Sequence, residues 1–179
     1  MKQILFISFI IITLMVIIYL YYNTNNKVRM SSLFKKLPTK LTYEYDKELT
    51  SSEILALTYM GYASGPEFKK GINNYLTEDV TFIGTGREAK GKEYIIERLE
   101  KRRKEVLYRV AHIILVQEVG NKVFIVREDP PNSSLYTMYL FIIDNNSNKI
   151  KSYFKLVDYL KKSKNDSSAF EFVREILYN

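Results

Sequence analysis

Six side chains in this sequence carry groups suited to proton transfer or to holding a polar ligand: Tyr59, Tyr62, His112, Arg127, Tyr136 and Asp158. His112 is the only histidine, and it falls in a run of strand character. An imidazole there can gain or lose a proton near neutral pH. Its plainer role is that of a buried strand histidine bonded to a neighbour. Asp158, late in the last predicted strand, is a candidate base if it faces inward. A general base has to lie within hydrogen-bond reach of the proton it takes. Arg127, Tyr136, Tyr59 and Tyr62 could line the same cavity, although strand alternation leaves their directions open.

Other chemistries are excluded by residue type. One histidine cannot build a metal site, and no carboxylate cluster at ligand spacing accompanies it. The chain has no cysteine, which removes thiolate metal sites and disulfides alike. No metal or cofactor is therefore expected. The loop from Gly84 to Gly91 matches neither the P-loop nor the dinucleotide fingerprint. There is no Ser-His-Asp or Cys-His constellation, and Asp79 is accounted for by turn chemistry ahead of a strand.

The elements that must position these residues are legible in part. Phe68, Ile72, Tyr75 and Leu76 share one helical face. Asp79-Val80-Thr81-Phe82-Ile83 then suits an extended segment. A turn punctuated by Gly84, Gly86 and Gly91 leads into a helix from Gly91 to about Leu107, with Tyr94, Ile95 and Leu99 as its stripe. Upstream, Thr50-Ser51-Ser52-Glu53 is a capping-box pattern that starts a helix through Tyr62. Gly65-Pro66 closes it and opens the next. From Arg109 the period is that of strands: Arg109–Val119, Lys122–Glu128, Leu135–Asp144 and Ile150–Leu160. Gly120-Asn121 makes a tight hairpin between the first two, and the four together form an antiparallel meander. The first and third are apolar on both alternation classes, so both sheet faces need cover. Helices would take one face. A partner subunit or a final helix, Ser168 to about Tyr178, would take the other.

Before this domain, Ile4–Tyr22 is an almost unbroken apolar run. As a helix it spans about 28 Å, close to the thickness of a bilayer core. It exceeds a signal-peptide core in length, and no small-x-small cleavage pattern follows it. The expectation is a single-pass anchor at residues 1–22, a polar tether at 23–49 and a folded domain at 50–179. Leu33, Phe34 and Leu37 in the tether could form a short helix on the membrane or on the domain, or a loose linker. Lys27, Arg29, Lys35, Lys36 and Lys40 crowd the inner end of the run, against Lys2 alone at the other. This bias favours a membrane protein with its domain on the cytosolic side. Asparagine triplets at Asn132, Asn145 and Asn165 arise readily in an asparagine-rich chain and do not overturn it. The net charge is +7, but the cations of Glu97–Glu105 interleave with carboxylates and read as a solvated helix face. Nucleic acid is not an expected partner.

The order helix, helix, strand, helix, long meander resembles the nuclear transport factor 2-like superfamily and its SnoaL-like branch. Tyr75–Phe82 resembles that family's passage from the second helix into the first strand. Lys90-Gly91-Lys92-Glu93-Tyr94-Ile95 resembles its entry to the third helix. Arg109–Val116 with Gly120-Asn121-Lys122-Val123 is similar to its first long hairpin, and Asn148-Lys149-Ile150 to the turn into its last strand. The likeness covers about Glu53–Leu160. It implies an α+β fold: a cone-shaped roll of curved antiparallel sheet packed on N-terminal helices, with a pocket between sheet and helices, often dimeric through the sheet. Some relatives carry a pocket histidine where His112 stands. Proton-shuffling members use a carboxylate base with a tyrosine or acid to hold the enolate oxygen. The family also includes pure assembly modules, and membrane-anchored assembly factors of type IV secretion machines are similar in layout. Two roles follow: a membrane-tethered module binding a ligand or protein partner, or a SnoaL-like isomerase, cyclase or hydrolase acting on a small apolar molecule. A closed apolar cavity holding such a carboxylate supports the enzyme; a cavity filled by tyrosine and phenylalanine supports the module.

Overall fold

The computed structural model describes residues 12–15, 28–84, 87–103, 111–128 and 136–158. The expected span at Ile4–Tyr22 lies outside these residues except for 12–15, which are helical. No helix among the described residues is long and apolar enough to cross a membrane. The expected final helix at Ser168–Tyr178 also lies outside them.

Thr50 caps a helix α2 at Ser51–Ala63: its hydroxyl accepts from the Glu53 amide, and the Glu53 carboxylate accepts from the Thr50 amide. The capping box read from the sequence is formed in full. Helix α3, Phe68–Tyr75, buries Phe68 and Ile72 as its spacing requires. Gly71 sits against Tyr62 so closely that a methyl group there would collide with the tyrosine Cβ. Helix α4 covers Lys92–Arg103, and residues 104–107 of its expected length are not among those described.

The stretch expected as a tether folds onto the domain from Val28 onward. Strand β1 (Val28–Arg29), helix α1 (Met30–Phe34), strand β2 (Leu41–Tyr43) and strand β3 (Glu48–Leu49) follow one another within it. Met30, Leu33, Phe34, Leu41 and Leu49 all enter the main core. Of the roles open to Leu33 and Phe34, docking on the domain is the one taken. The elements are two to five residues long, too short to show a period.

The main sheet has seven strands in the order β2-β6-β7-β8-β9-β4-β5 and is curved and unclosed. Its added members are β4 (Leu76–Gly84), β5 (Arg87–Lys90), β6 (Ala111–Val119), β7 (Lys122–Glu128), β8 (Tyr136–Asp144) and β9 (Lys149–Asp158). β6 to β9 form the antiparallel meander, and Gly120-Asn121 is its two-residue turn, with Gly120 at φ +61°. The expectation of a wholly antiparallel sheet needs correcting, since β2 runs parallel to β6 and β4 parallel to β9. Parallel neighbours need a long crossover, and α4 with three meander strands provides one between β4 and β9. β4 also begins at Leu76, earlier than expected, because that buried side chain pairs with Ile150 in the sheet.

Both faces of the meander are apolar, as anticipated. Val123, Ile125, Phe141 and Ile143 join the core beneath the helices. On the opposite face Phe124 and Met138 form a second cluster with Leu115, Val119, Val126 and Leu140.

Candidate functional site

The helix-facing side of the sheet is floored by rings. Tyr139 and Phe141 follow one another on the same face of β8 and stack at 5.9 Å, 12° from parallel. Phe141 stacks in turn on Tyr153 of β9 at 5.8 Å. Tyr153 is paired with Phe82 of β4 in the sheet, their rings 4.8 Å apart. From above, α2 brings Tyr59 down onto Phe141 and Tyr153, at 6.1 and 5.5 Å. The Tyr59 hydroxyl donates to that of Tyr153 across 3.1 Å. Burial pushes the Tyr59 phenol well above its ordinary value, and the neighbouring Tyr153 adds to the shift. Burial raises Tyr153 as well, eased by the Tyr59 hydrogen bond and by the charge of Arg98. Both phenols are un-ionised at neutral pH, so this pair can donate hydrogen bonds but not abstract a proton.

Cations stand around the floor. The Arg127 guanidinium, on a residue only 8% exposed, lies 5.0 Å from the Tyr139 ring centroid. The Lys155 ammonium lies 5.9 Å from the same ring, and the Arg98 guanidinium of α4 lies 4.7 Å from that of Phe82. Of the six candidates, Tyr59 and Arg127 thus meet in one place, joined through Phe141 and Tyr139.

The others do not join them. Tyr62 packs between the helices, its ring 5.7 Å from Tyr75 with the Lys70 ammonium 5.5 Å away. His112 sits opposite Thr42 of the edge strand β2 and opposite Glu128 of β7. Its alternation class is opposite to that of Ala111 and Ile113, which enter the core, so it faces away from the helices. Nδ1 shares a hydrogen bond of 2.9 Å with Thr42 Oγ1, and Nε2 one of 3.1 Å with Glu44 Oε2. The neighbour-bonded strand histidine is the role realised, as a latch on β2. Tyr136 is half-buried at the register partner of Glu128, on that same face. Asp158 ends β9 as the backbone partner of Tyr136; its side chain lies outside the described residues.

His112→Ala is expected to cost about 1 kcal/mol, the net worth of an ordinary hydrogen bond, and to loosen β2 while the domain stays folded. Amide exchange in Leu41–Tyr43 and a urea melt check this; a chain that no longer folds overturns it.

Sequence reasoning missed Phe82, Arg98, Tyr139, Phe141, Tyr153 and Lys155 as a group. It missed Glu128 too, a buried carboxylate set between His112 and Tyr136 by register. A separate cleft of about 440 Å³ beside Glu78, Lys92 and Tyr94 contains none of the candidates. Its Lys92 bonds Glu78 at 2.6 Å and the Asn73 carbonyl at 3.2 Å, fixing the start of α4 against α3. Among the described residues no group of three histidine or acidic side chains could hold a metal ion.

Comparison with known proteins supports the fold. No family model matches the sequence, and no curated protein matches it. Solved structures do. A SnoaL-like family protein from Agrobacterium tumefaciens, named for isomerase activity, matches with a TM-score of 0.54 at 12% identity, over 62% of this chain and 99% of that one. A protein from Shewanella putrefaciens named as a SnoaL-like polyketide cyclase matches with a TM-score of 0.54 at 19% identity, over 68% of this chain and 88% of its own. Another of that name, from Shewanella denitrificans, matches with a TM-score of 0.53 at 18% identity, over 65% and 97% of the two chains. These matches show the fold alone, a mixed α+β architecture with a curved, unclosed sheet like that of the SnoaL-like structures. At these identities the likeness is one of fold, and chemistry has to be argued from the side chains.

Proposed function

We propose that this chain is a membrane-tethered module of the SnoaL-like kind that binds a ligand or protein partner, with residues 4–22 as its anchor and the domain on the cytosolic side. One observation carries the reading. The space between sheet and helices is occupied by the chain's own Tyr59, Phe82, Phe141 and Tyr153, with ring centroids 4.8 to 6.1 Å apart. A pocket that turns over a small apolar molecule needs that space for substrate. Binding is then left to surfaces outside that packed space, such as the opposite sheet face with its second apolar cluster.

Two measurements test this. In membranes washed with alkaline carbonate, the full chain stays in the pellet, and deletion of residues 4–22 releases it; release of the full chain removes the anchor. In lipid nanodiscs, neutral naphthalene-2-methanol leaves the ring resonances of Tyr59 and Tyr153 unmoved. Shifts at both rings, saturating at about micromolar concentrations, would mean an open hollow and would overturn the module.

The alternative is a SnoaL-like isomerase, cyclase or hydrolase for a small apolar substrate. Its support is the Tyr59–Tyr153 hydroxyl pair: Tyr59 donates to Tyr153, whose own proton is left for a developing oxyanion. Turnover lost on Tyr153→Phe would favour it.

A further inference from the structure

We infer that the face of the domain formed by β1, α1 and the turn after it rests on the bilayer, with Lys35, Lys36 and Lys40 bound to anionic lipid headgroups. This deepens the module reading and rests on its anchor at residues 4–22.

Reach puts this face at the membrane. The stretch expected as a tether folds onto the domain from Val28 onward, so only residues 23–27 separate the apolar run from the folded body. The residue steps from Tyr22 to Val28 extend to at most about 20 Å. β1 and α1, the first elements after that stretch, are thus held near the headgroups, whose layer is itself about 5–8 Å deep on each side. Within the run Ile12, Leu14 and Met15 are helical and exposed rather than packed on the domain, as side chains that face lipid are.

Charge gives the face its partner. Lys35, Lys36 and Lys40 are exposed, and none of them enters an ion pair among the described residues. By contrast Lys69 and Lys70 of α3 meet Glu100 and Glu67. The backbone that carries the three is pinned. The Lys36 amide donates to the Leu33 carbonyl at the end of α1, and Leu37 sits over Gly61 of α2. The Thr39 hydroxyl then donates to the Gly61 carbonyl at 2.7 Å. Three ammonium groups therefore stand on a fixed stretch rather than on a loose tail. The carboxylates nearby are engaged: Asp46 accepts from Ser31 and pairs with Arg29 at 3.3 Å, and Glu44 shares a hydrogen bond with His112. Each lysine beside an anionic leaflet strengthens local association about fivefold. That field decays within about 8–10 Å, a range that a long tether would forfeit and this short one keeps. A zwitterionic surface carries no net charge and offers no such gain.

The test uses the full chain in nanodiscs of phosphatidylcholine, alone or mixed with phosphatidylglycerol, each carrying a lipid spin-labelled at its headgroup. Broadening of amide resonances is read. In the mixed discs the amides of Leu33–Lys40 are expected to broaden about threefold or more beyond their level in the neutral discs. Those of the Gly120-Asn121 turn, at the far end of β6 from its pairing with β2, are expected to stay sharp. Lys35→Gln, Lys36→Gln and Lys40→Gln made together return the broadening to the neutral-disc level and leave the unfolding midpoint unchanged. Raising salt to about 1 M, where the Debye length is about 3 Å, does the same to the unaltered chain. Lys101→Gln, Lys122→Gln and Lys151→Gln made together remove as much charge from exposed positions elsewhere and leave the broadening as it was. Equal broadening in the two kinds of disc, broadening as strong at the turn as at Leu33–Lys40, or the same response from both triple variants overturns the headgroup contact while the anchor stands. A chain that does not stay with the discs removes the anchor, and this contact with it.

Discussion

Phe141→Ala is expected to lower the stability of this domain by about 3–5 kcal/mol, the range for truncating a buried phenylalanine. Phe141 is 0% exposed, stands at the centre of the sheet, and touches Tyr59, Tyr139 and Tyr153. Its neighbours are anchored on separate strands and on α2, so they cannot all move into the gap. The void should be apolar and dry, of the kind that admits benzene. Benzene should then restore about 1 kcal/mol to the variant through binding to the folded state and nothing to the unaltered chain. Urea melts with and without benzene measure both quantities. A loss below about 1 kcal/mol would mean that the rings are loosely packed, and an equal benzene response in the unaltered chain that the hollow was never full.

Glu53→Ala is the second large effect, at about 2–3 kcal/mol. The Glu53 carboxylate is buried although its lysine partner is 38% exposed, so the pair is neither a surface bridge nor a sealed one. One oxygen accepts from Lys47 Nζ at 2.8 Å, and the other closes the capping box on Thr50. Lys47 also donates to the Val116 carbonyl at 3.1 Å. One carboxylate thus ties the start of α2, the segment before β3 and the strand β6 together. Removing it uncaps the helix and leaves a partly buried ammonium with one bond fewer. Glu53→Gln keeps an acceptor for Thr50 and should recover about half of the loss. If the glutamine variant is as unstable as the alanine one, the ion pair carries the whole effect and the cap none.

What the sequence makes legible is whatever is local. The capping box needs only residues 50 to 53, and the Gly120-Asn121 hairpin only its turn and flanking strands. The four meander strands announce themselves by length and by β-branched content. The edges do not. β2 has three residues, and its pairing with β6 joins positions some seventy residues apart. β5 lies where glycines suggest a turn, yet it pairs along β4.

The candidate site was half legible for a related reason. Tyr59 and Arg127 could be named, but the direction of a strand side chain depends on counting by twos. That count is broken by register shifts between Ile113 and Leu115 and between Ile142 and Ile143. Each added residue flips everything beyond it to the other face. His112 and Tyr136, which lie ahead of these shifts, stand by plain alternation on the face away from the helices, while Tyr139 and Lys155 stand on the helix-facing side, and only the paired backbone reveals which face is which.

The parallel seat of β4 beside β9 also bears on how the chain is made. Until residue 149 has left the ribosome, β4 has only the short β5 alongside it, with Leu76, Val80 and Phe82 already synthesised and without their final neighbour strand. Pairing across so long a stretch of chain is entropically slow. For the whole of that interval the nascent domain offers an unfilled strand edge, and this is the period in which a chaperone, or another unfinished copy, would find it.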